Sequence, residues 1–99
     1  MKLLAYSLRD MKADQYHAPF FVPSRVHATR LLEQLVQNRD SEVGRYTGDF
    51  TLYEIGELET STGSLKCCPP SEVCTALSAL PKADPRQLVL PETIPAQEA

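Results

Sequence analysis

Apolar and polar positions first order themselves at Lys2 to Arg9, where Leu4, Tyr6 and Leu8 recur at period two with Leu3, Ala5 and Ser7 between them. That spacing predicts a strand. A charged stretch, Arg9 to Gln15, leads to a second extended segment, Tyr16 to Val22. Pro19 and Pro23 remove ladder donors there and bias Ala18 and Val22 away from helical backbone, so the segment is expected at a sheet edge. The period then changes. Ala28, Leu31, Leu32, Leu35 and Val36 fall on one helical stripe, with Arg30, Glu33, Gln34 and Gln37 on the other side. Ser24 is placed to cap this helix, which is expected from Arg25 to about Asn38.

Asn38 to Gly48 is polar, contains two glycines and reads as a loop exposing Arg39, Arg45 and Tyr46. The stretch from Asp49 to Leu65 is dense in aromatic and branched residues and carries a Ser-Thr-Gly turn signal, which predicts a hairpin. Phe50 and Leu52 point to one face and Thr51, Tyr53 and Ile55 to the other, so this strand is expected at the centre of the sheet. Gly56 interrupts the alternation, and a bulge or close backbone contact there shifts the phase by one residue. The return strand, Ser64 to Cys67, is expected to end at Pro69-Pro70. Ser71 then caps a shorter helical signal, Glu72 to Leu80, with Val73, Leu77 and Leu80 on one side and Ala76 close by. From Pro81 onward, prolines 85, 91 and 95 among small and acidic residues predict an extended or disordered tail, with Leu88, Val89, Leu90 and Ile94 as short contact points.

The pattern therefore predicts an α+β chain of order β-β-α-β-β. An antiparallel sheet of about four strands carries one packed helix, followed by a short second helix and an extended proline-rich C-terminal tail. The boundaries expected are a compact unit over 1–68, a Pro-Pro linker and amphipathic helix over 69–80, and the tail over 81–99.

Composition narrows the function. Ninety-nine residues, 42% apolar and 23% charged, suit one globular domain, and no apolar run approaches the roughly 18 residues that span a bilayer. With Arg9, Asp10 and Lys12 following Leu3-Leu4-Ala5 so closely, no secretory leader is expected, and the cytoplasm is the expected compartment. Three cysteines, Cys67, Cys68 and Cys74, are odd in number and crowded together, which is no disulfide framework. They also lack the fourth ligand and the spacing of a closed zinc site, so neither metal nor cofactor is expected. The net charge is −3, and it is uneven: residues 1–50 balance at +1 and residues 51–99 at −4. A polyanion site belongs to the first half.

Two histidines, His17 and His27, without a phosphate loop, nucleophile elbow or paired metal-ligand spacing, leave little for catalysis. No enzyme is expected. The richer constellation is aromatic and basic: Tyr6, Arg9, Lys12, Tyr16, Phe20 or Phe21, Arg45, Tyr46 and Tyr53. A sheet that displays aromatic rings beside Lys and Arg stacks single-stranded bases, at roughly 1–3 kcal/mol per base. A domain this small also needs aromatics for its core, and at least half of these are expected to be buried.

Tyr6 with Asp10 and Lys12, Ala18-Pro19-Phe20-Phe21, the run Gly44 to Tyr53, and the turn from Gly56-Glu57-Leu58 to Thr62-Gly63 together resemble a known family. This is the small nonstructural protein, the fifth open reading frame product, of gokushoviruses, the single-stranded DNA phages of the Microviridae. The resemblance covers about residues 1–66, and the chain after Cys68 has no matching counterpart. It implies a phage protein made in the infected bacterial cytoplasm and absent from the mature virion. It also implies DNA binding, with a role in single-stranded genome synthesis or its handover to packaging. Neither catalytic residues nor a mapped binding site come with it.

The expected function is thus non-catalytic binding of single-stranded DNA during replication. Arg9, Lys12, Arg39 and Arg45 are the candidates for phosphates, and Tyr16, Tyr46 and Tyr53 for bases. A site this short is helped by self-association, so a homo-oligomer is expected. The rival expectation is a protein-interaction module that binds a phage or host replication protein, which suits the acidic second half and the proline-rich tail.

Overall fold

The computed structural model describes residues 1–81, and the expected tail lies almost wholly outside them. The element order is β1 (Lys2–Asp10), β2 (Gln15–Tyr16), β3 (Phe20–Val22), α1 (Arg25–Gln37), α2 (Glu42–Arg45), β4 (Phe50–Glu59) and β5 (Ser64–Thr75). All pairings are antiparallel. β1 carries β2 and β3 along one side and β4 along the other, and β5 closes the far edge beside β4. The α+β expectation and its β-β-α-β-β order hold, with the first edge strand split in two. The split falls at His17 to Pro19, where the proline lacks a donor.

Ser24 caps α1 as expected: its Oγ accepts from the His27 backbone N–H at 3.5 Å. Ala28, Leu32 and Val36 are buried against the sheet, and Leu35 is partly so. Leu31, expected in the same stripe, stands at the rim of that contact and is exposed. The core under α1 is completed by Tyr6 and Leu8 of β1, Val22 of β3, Val43 of α2 and Phe50 and Leu52 of β4. Tyr6 stacks on Phe20, with ring centroids 6.1 Å apart. Its hydroxyl donates to Glu54 at 3.2 Å, and Glu54 also accepts from Arg25 at 3.2 Å, which ties α1 to the middle of β4.

Two sequence expectations fail. The segment expected as a loop before Gly48 forms α2 and then a 3-10 turn over Thr47–Asp49. Ser41 caps α2 by accepting from the Gly44 N–H at 2.9 Å, Val43 anchors it in the core, and the Thr47 hydroxyl donates to the Val43 carbonyl at 2.9 Å. Gly44 is required because a Cβ there would lie 2.0 Å from the Asn38 carbonyl oxygen.

The second failure concerns residues 68–80. The return strand does not stop at Pro69-Pro70, and no helix spans Glu72 to Leu80: β5 continues to Thr75, followed by a 3-10 turn over Leu77–Ala79. The prolines fit because β5 is an edge strand, where a missing N–H need not break a ladder. Cys67 pairs with Gly56 and Ser71 with Glu54, so Cys68, Pro69 and Pro70 bow out opposite the single residue Ile55. Val73, Cys74, Ala76 and Leu80 then pack on the core, which gives the apolar pattern a different use from the one expected. The short second helix of this fold is α2, not the segment after Ser71.

Candidate nucleic-acid interface

Leu4, Tyr6 and Leu8 face α1, so period two turns Leu3, Ala5, Ser7 and Arg9 to the opposite face. On β4 the expected phase shift occurs. Tyr6 pairs with Glu54 and Ala5 with Gly56, leaving Ile55 as the extra residue of a bulge. Thr51 and Tyr53 before the bulge, and Gly56 and Leu58 after it, consequently share the face away from α1. Phe21 joins them through its pairing with Ala5, and Tyr16 through its pairing with Arg9.

No helix among the described residues covers this face, and at one end of it lies an aromatic and basic cluster. The rings of Tyr16 and Tyr53 meet edge to face, with centroids 5.5 Å apart and planes at 73°. The Arg9 guanidinium carbon sits 5.7 Å from the centroid of Tyr16, within cation–π range. Arg9 also pairs with Asp14, and hydrogen bonding to Asp14 first, then to the Tyr53 side chain, raises its pKa above the ordinary arginine value. Tyr16 and Phe21 are exposed, and Tyr53 is half-buried. The small residues Ala5 and Ser7 form a buried floor beside them. At the other end, Leu3, Leu58 and Leu65 stand in register across β1, β4 and β5 as an apolar row.

The structure brings together three of the seven residues expected at the site, Arg9, Tyr16 and Tyr53. Lys12 and Tyr46 instead line a cleft of about 320 Å³ with Asp10, Ala13, Glu42, Asp49 and Phe50. The Met11 N–H donates to the Asp49 carbonyl at 2.7 Å and holds the β1–β2 turn against this end of β4. Three carboxylates around one ammonium make the cleft hostile to a phosphate. Arg39, between the helices, and Arg45, on α2, are exposed in the helical layer, since Val43 of α2 is buried in the core with α1. Phe21, which the sequence offered only as an alternative to Phe20 and not among the seven, and Asp14, which it did not offer, belong to the uncovered face. The Ala5–Phe21 register is not visible in a single sequence, whereas Asp14 in a turn beside Arg9 was open to inference.

Cys67 and Cys68 are exposed on β5, while burial pushes the Cys74 thiol above its usual pKa. Among the described residues no group of three or more His, Cys, Asp or Glu converges as metal ligands would, and no helix is long and apolar enough to cross a membrane.

The chain belongs to the phage ORF5 protein family, whose model matches residues 3–79. The match runs beyond Cys68 and takes in all of β5 and the turn after it, a longer span than the sequence resemblance reached. No curated protein and no solved structure matches the chain.

Proposed function

We propose that this phage ORF5 protein binds single-stranded DNA on the uncovered face of its sheet, without catalysis. Its place of action is the infected bacterial cytoplasm, during genome synthesis or the handover of the genome to packaging. The observation that carries the reading is the Arg9–Tyr16–Tyr53 cluster, two aromatic rings and a guanidinium on a sheet face that no helix among the described residues covers. Bases in a duplex are already stacked on one another, and only a single strand offers its π-faces to such rings. Beside the rings the cation, Arg9, is paired with Asp14, and Glu72 on β5 stands in register with Tyr53. Stacking rather than phosphate neutralisation therefore supplies most of the affinity, and the salt dependence is shallow.

The test is a fluorescence anisotropy titration with a labelled single-stranded oligonucleotide and its duplex at several salt concentrations. Tyr16→Ala and Tyr53→Ala each lose on the order of 1–3 kcal/mol of binding, and Tyr46→Ala, in the acidic cleft, loses little. Duplex bound as well as single strand, or tyrosine variants that bind like the parent, would refute the reading.

A second reading is favoured by the row Leu3–Leu58–Leu65, whose outermost member is 54% exposed. This row suits a protein contact, either a second copy of the chain or a phage or host replication protein. Light scattering separates these: a mass near that of the 11.0 kDa monomer at high concentration removes the homo-oligomer.

A further inference from the structure

We infer that Asp14 is a specificity-determining residue, a built-in surrogate for phosphate that occupies the Arg9 guanidinium until a strand stacked on the tyrosines displaces it. The inference rests on the reading of the uncovered face as a single-strand site. Its first support is the asymmetry of the ion pair: the Arg9 side chain is 29% exposed and that of Asp14 is 78% exposed. The cation is built into the face, against the Tyr16 ring, and the carboxylate approaches it from solvent.

The second support is the backbone. Asp14 is the one non-glycine residue with positive φ among the described residues, at 58°. Asp10 sets the turn around it, its Oδ1 accepting from the N–H groups of Lys12 at 3.0 Å and Ala13 at 3.1 Å. Glycine, asparagine and aspartate all tolerate that backbone, but aspartate alone adds a charge to meet Arg9. The Asp14 side chain makes no other hydrogen bond among the described residues, so nothing else in the fold uses that carboxylate.

The chemical consequence is a filter. A free anion has to compete with a carboxylate tethered five residues away, which acts at a high effective concentration. A strand whose base already lies on Tyr16 or Tyr53 delivers its own phosphate intramolecularly, on equal terms. The site thus admits phosphates that arrive with stacked bases and turns away inorganic phosphate.

The test uses the full chain, a labelled oligothymidine and inorganic phosphate as competitor. The proteins are the parent, Asp14→Asn, Arg9→Gln and the double variant, with Asp40→Asn as an equal charge change in the α1–α2 segment. Asparagine keeps the left-handed backbone, and thermal melts verify that each variant is folded. Asp14→Asn is expected to tighten strand binding by about two- to fivefold and to make it easier for phosphate to compete. In the Arg9→Gln background the same change is expected to do almost nothing, as coupling through one partner requires. Asp14→Asn binding equal to or weaker than the parent would overturn the proposal, because Asp14 would then merely position Arg9. Equal tightening with or without Arg9, or from Asp40→Asn, would also overturn it in favour of net charge. If no folded variant binds the strand, the reading of the face fails and takes the proposal with it.

Discussion

Gly56 is where the geometry of the sheet can be tested most directly. It pairs with Ala5 on one side and Cys67 on the other, immediately after the Ile55 bulge and beside the bow of Cys68, Pro69 and Pro70. A Cβ on Gly56 would lie 2.4 Å from the Lys66 carbonyl oxygen and 3.4 Å from the Cys67 Cα. Ordinary contact begins near 3.4 Å, so the nearest oxygen has to retreat by about 1 Å. That oxygen belongs to backbone in a paired strand and has no rotamer to change. Gly56→Ala is therefore an overpacking substitution, expected to cost about 1–3 kcal/mol. For a domain of this size each kcal/mol lowers Tm by roughly 4–8 °C, so a fall of about 4–24 °C is expected in a calorimetric or circular-dichroism melt. Gly48→Ala is the control, because its nearest neighbour is the Leu77 Cδ1 at 4.0 Å and its φ is not positive. A Gly56→Ala melt within a degree or two of the parent would refute the close pairing of Gly56 with Cys67 between β4 and β5.

Leu32→Ala empties a fully buried position between α1 and the sheet and is expected to cost about 2–5 kcal/mol in urea denaturation. A loss below about 1 kcal/mol would show that α1 does not dock through this side chain. Ser24→Ala removes the cap of α1 at a cost of about 1 kcal/mol, read from the same curves, with Ser24→Asp retaining most of the stability. Alkylation of the native protein followed by mass spectrometry is expected to modify Cys67 and Cys68 quickly and Cys74 slowly. Burial both shields the Cys74 thiol and raises its pKa, so it holds less of the reactive thiolate at a given pH. Uniform labelling of the three would contradict the packing of β5 on the core.

The elements legible in the sequence are those whose side chains obey one period from end to end. Lys2 to Arg9 alternates, residues 25–37 keep a helical stripe under a serine cap, and both became the elements expected of them. Residues 71–80 misled because Val73, Leu77 and Leu80, with Ala76 close by, are spaced like a helix face. In the fold Val73, Ala76 and Leu80 reach the core from a bulged strand end and a 3-10 turn, and Leu77 is exposed. Prolines in a row suggest a stop, yet an edge strand tolerates them, and edge status depends on long-range pairing that a sequence does not display. Asn38 to Gly48 misled for the opposite reason. One valine, one serine cap and one close glycine contact are enough to hold a four-residue helix, too little for periodicity to register. The site followed the same rule. Arg9, Tyr16 and Tyr53 came together because they belong to paired strands, whereas Lys12, Arg39, Arg45 and Tyr46 were judged by residue type in segments whose path was unknown.

The distribution of prolines also bears on where a partner approaches. The sheet has two outer borders. On one, β3 lies between Pro19 and Pro23, and on the other β5 carries Pro69 and Pro70 in its middle with Lys66 close by. Missing donors, a bowed backbone and a charge are the means by which edges resist the addition of another strand. The face toward α1 is filled by the core, which leaves the opposite face as the one that no described helix covers. The Ile55 bulge decides the composition of that face. Without the extra residue, strict alternation would carry Ile55 and Glu57 onto the face of Tyr53 and turn Gly56 and Leu58 toward α1. With it, the Glu57 carboxylate is moved off that face, and Tyr53, Gly56 and Leu58 align with Ser7, Ala5 and Leu3. The small residues between the two ends, Ala5, Ser7, Thr51 and Gly56, are buried, so the face offers apolar contact at its ends, from the exposed rings of Tyr16 and Phe21 on one side and from Leu65 on the other, and rings are the chemistry that unpaired bases stack on.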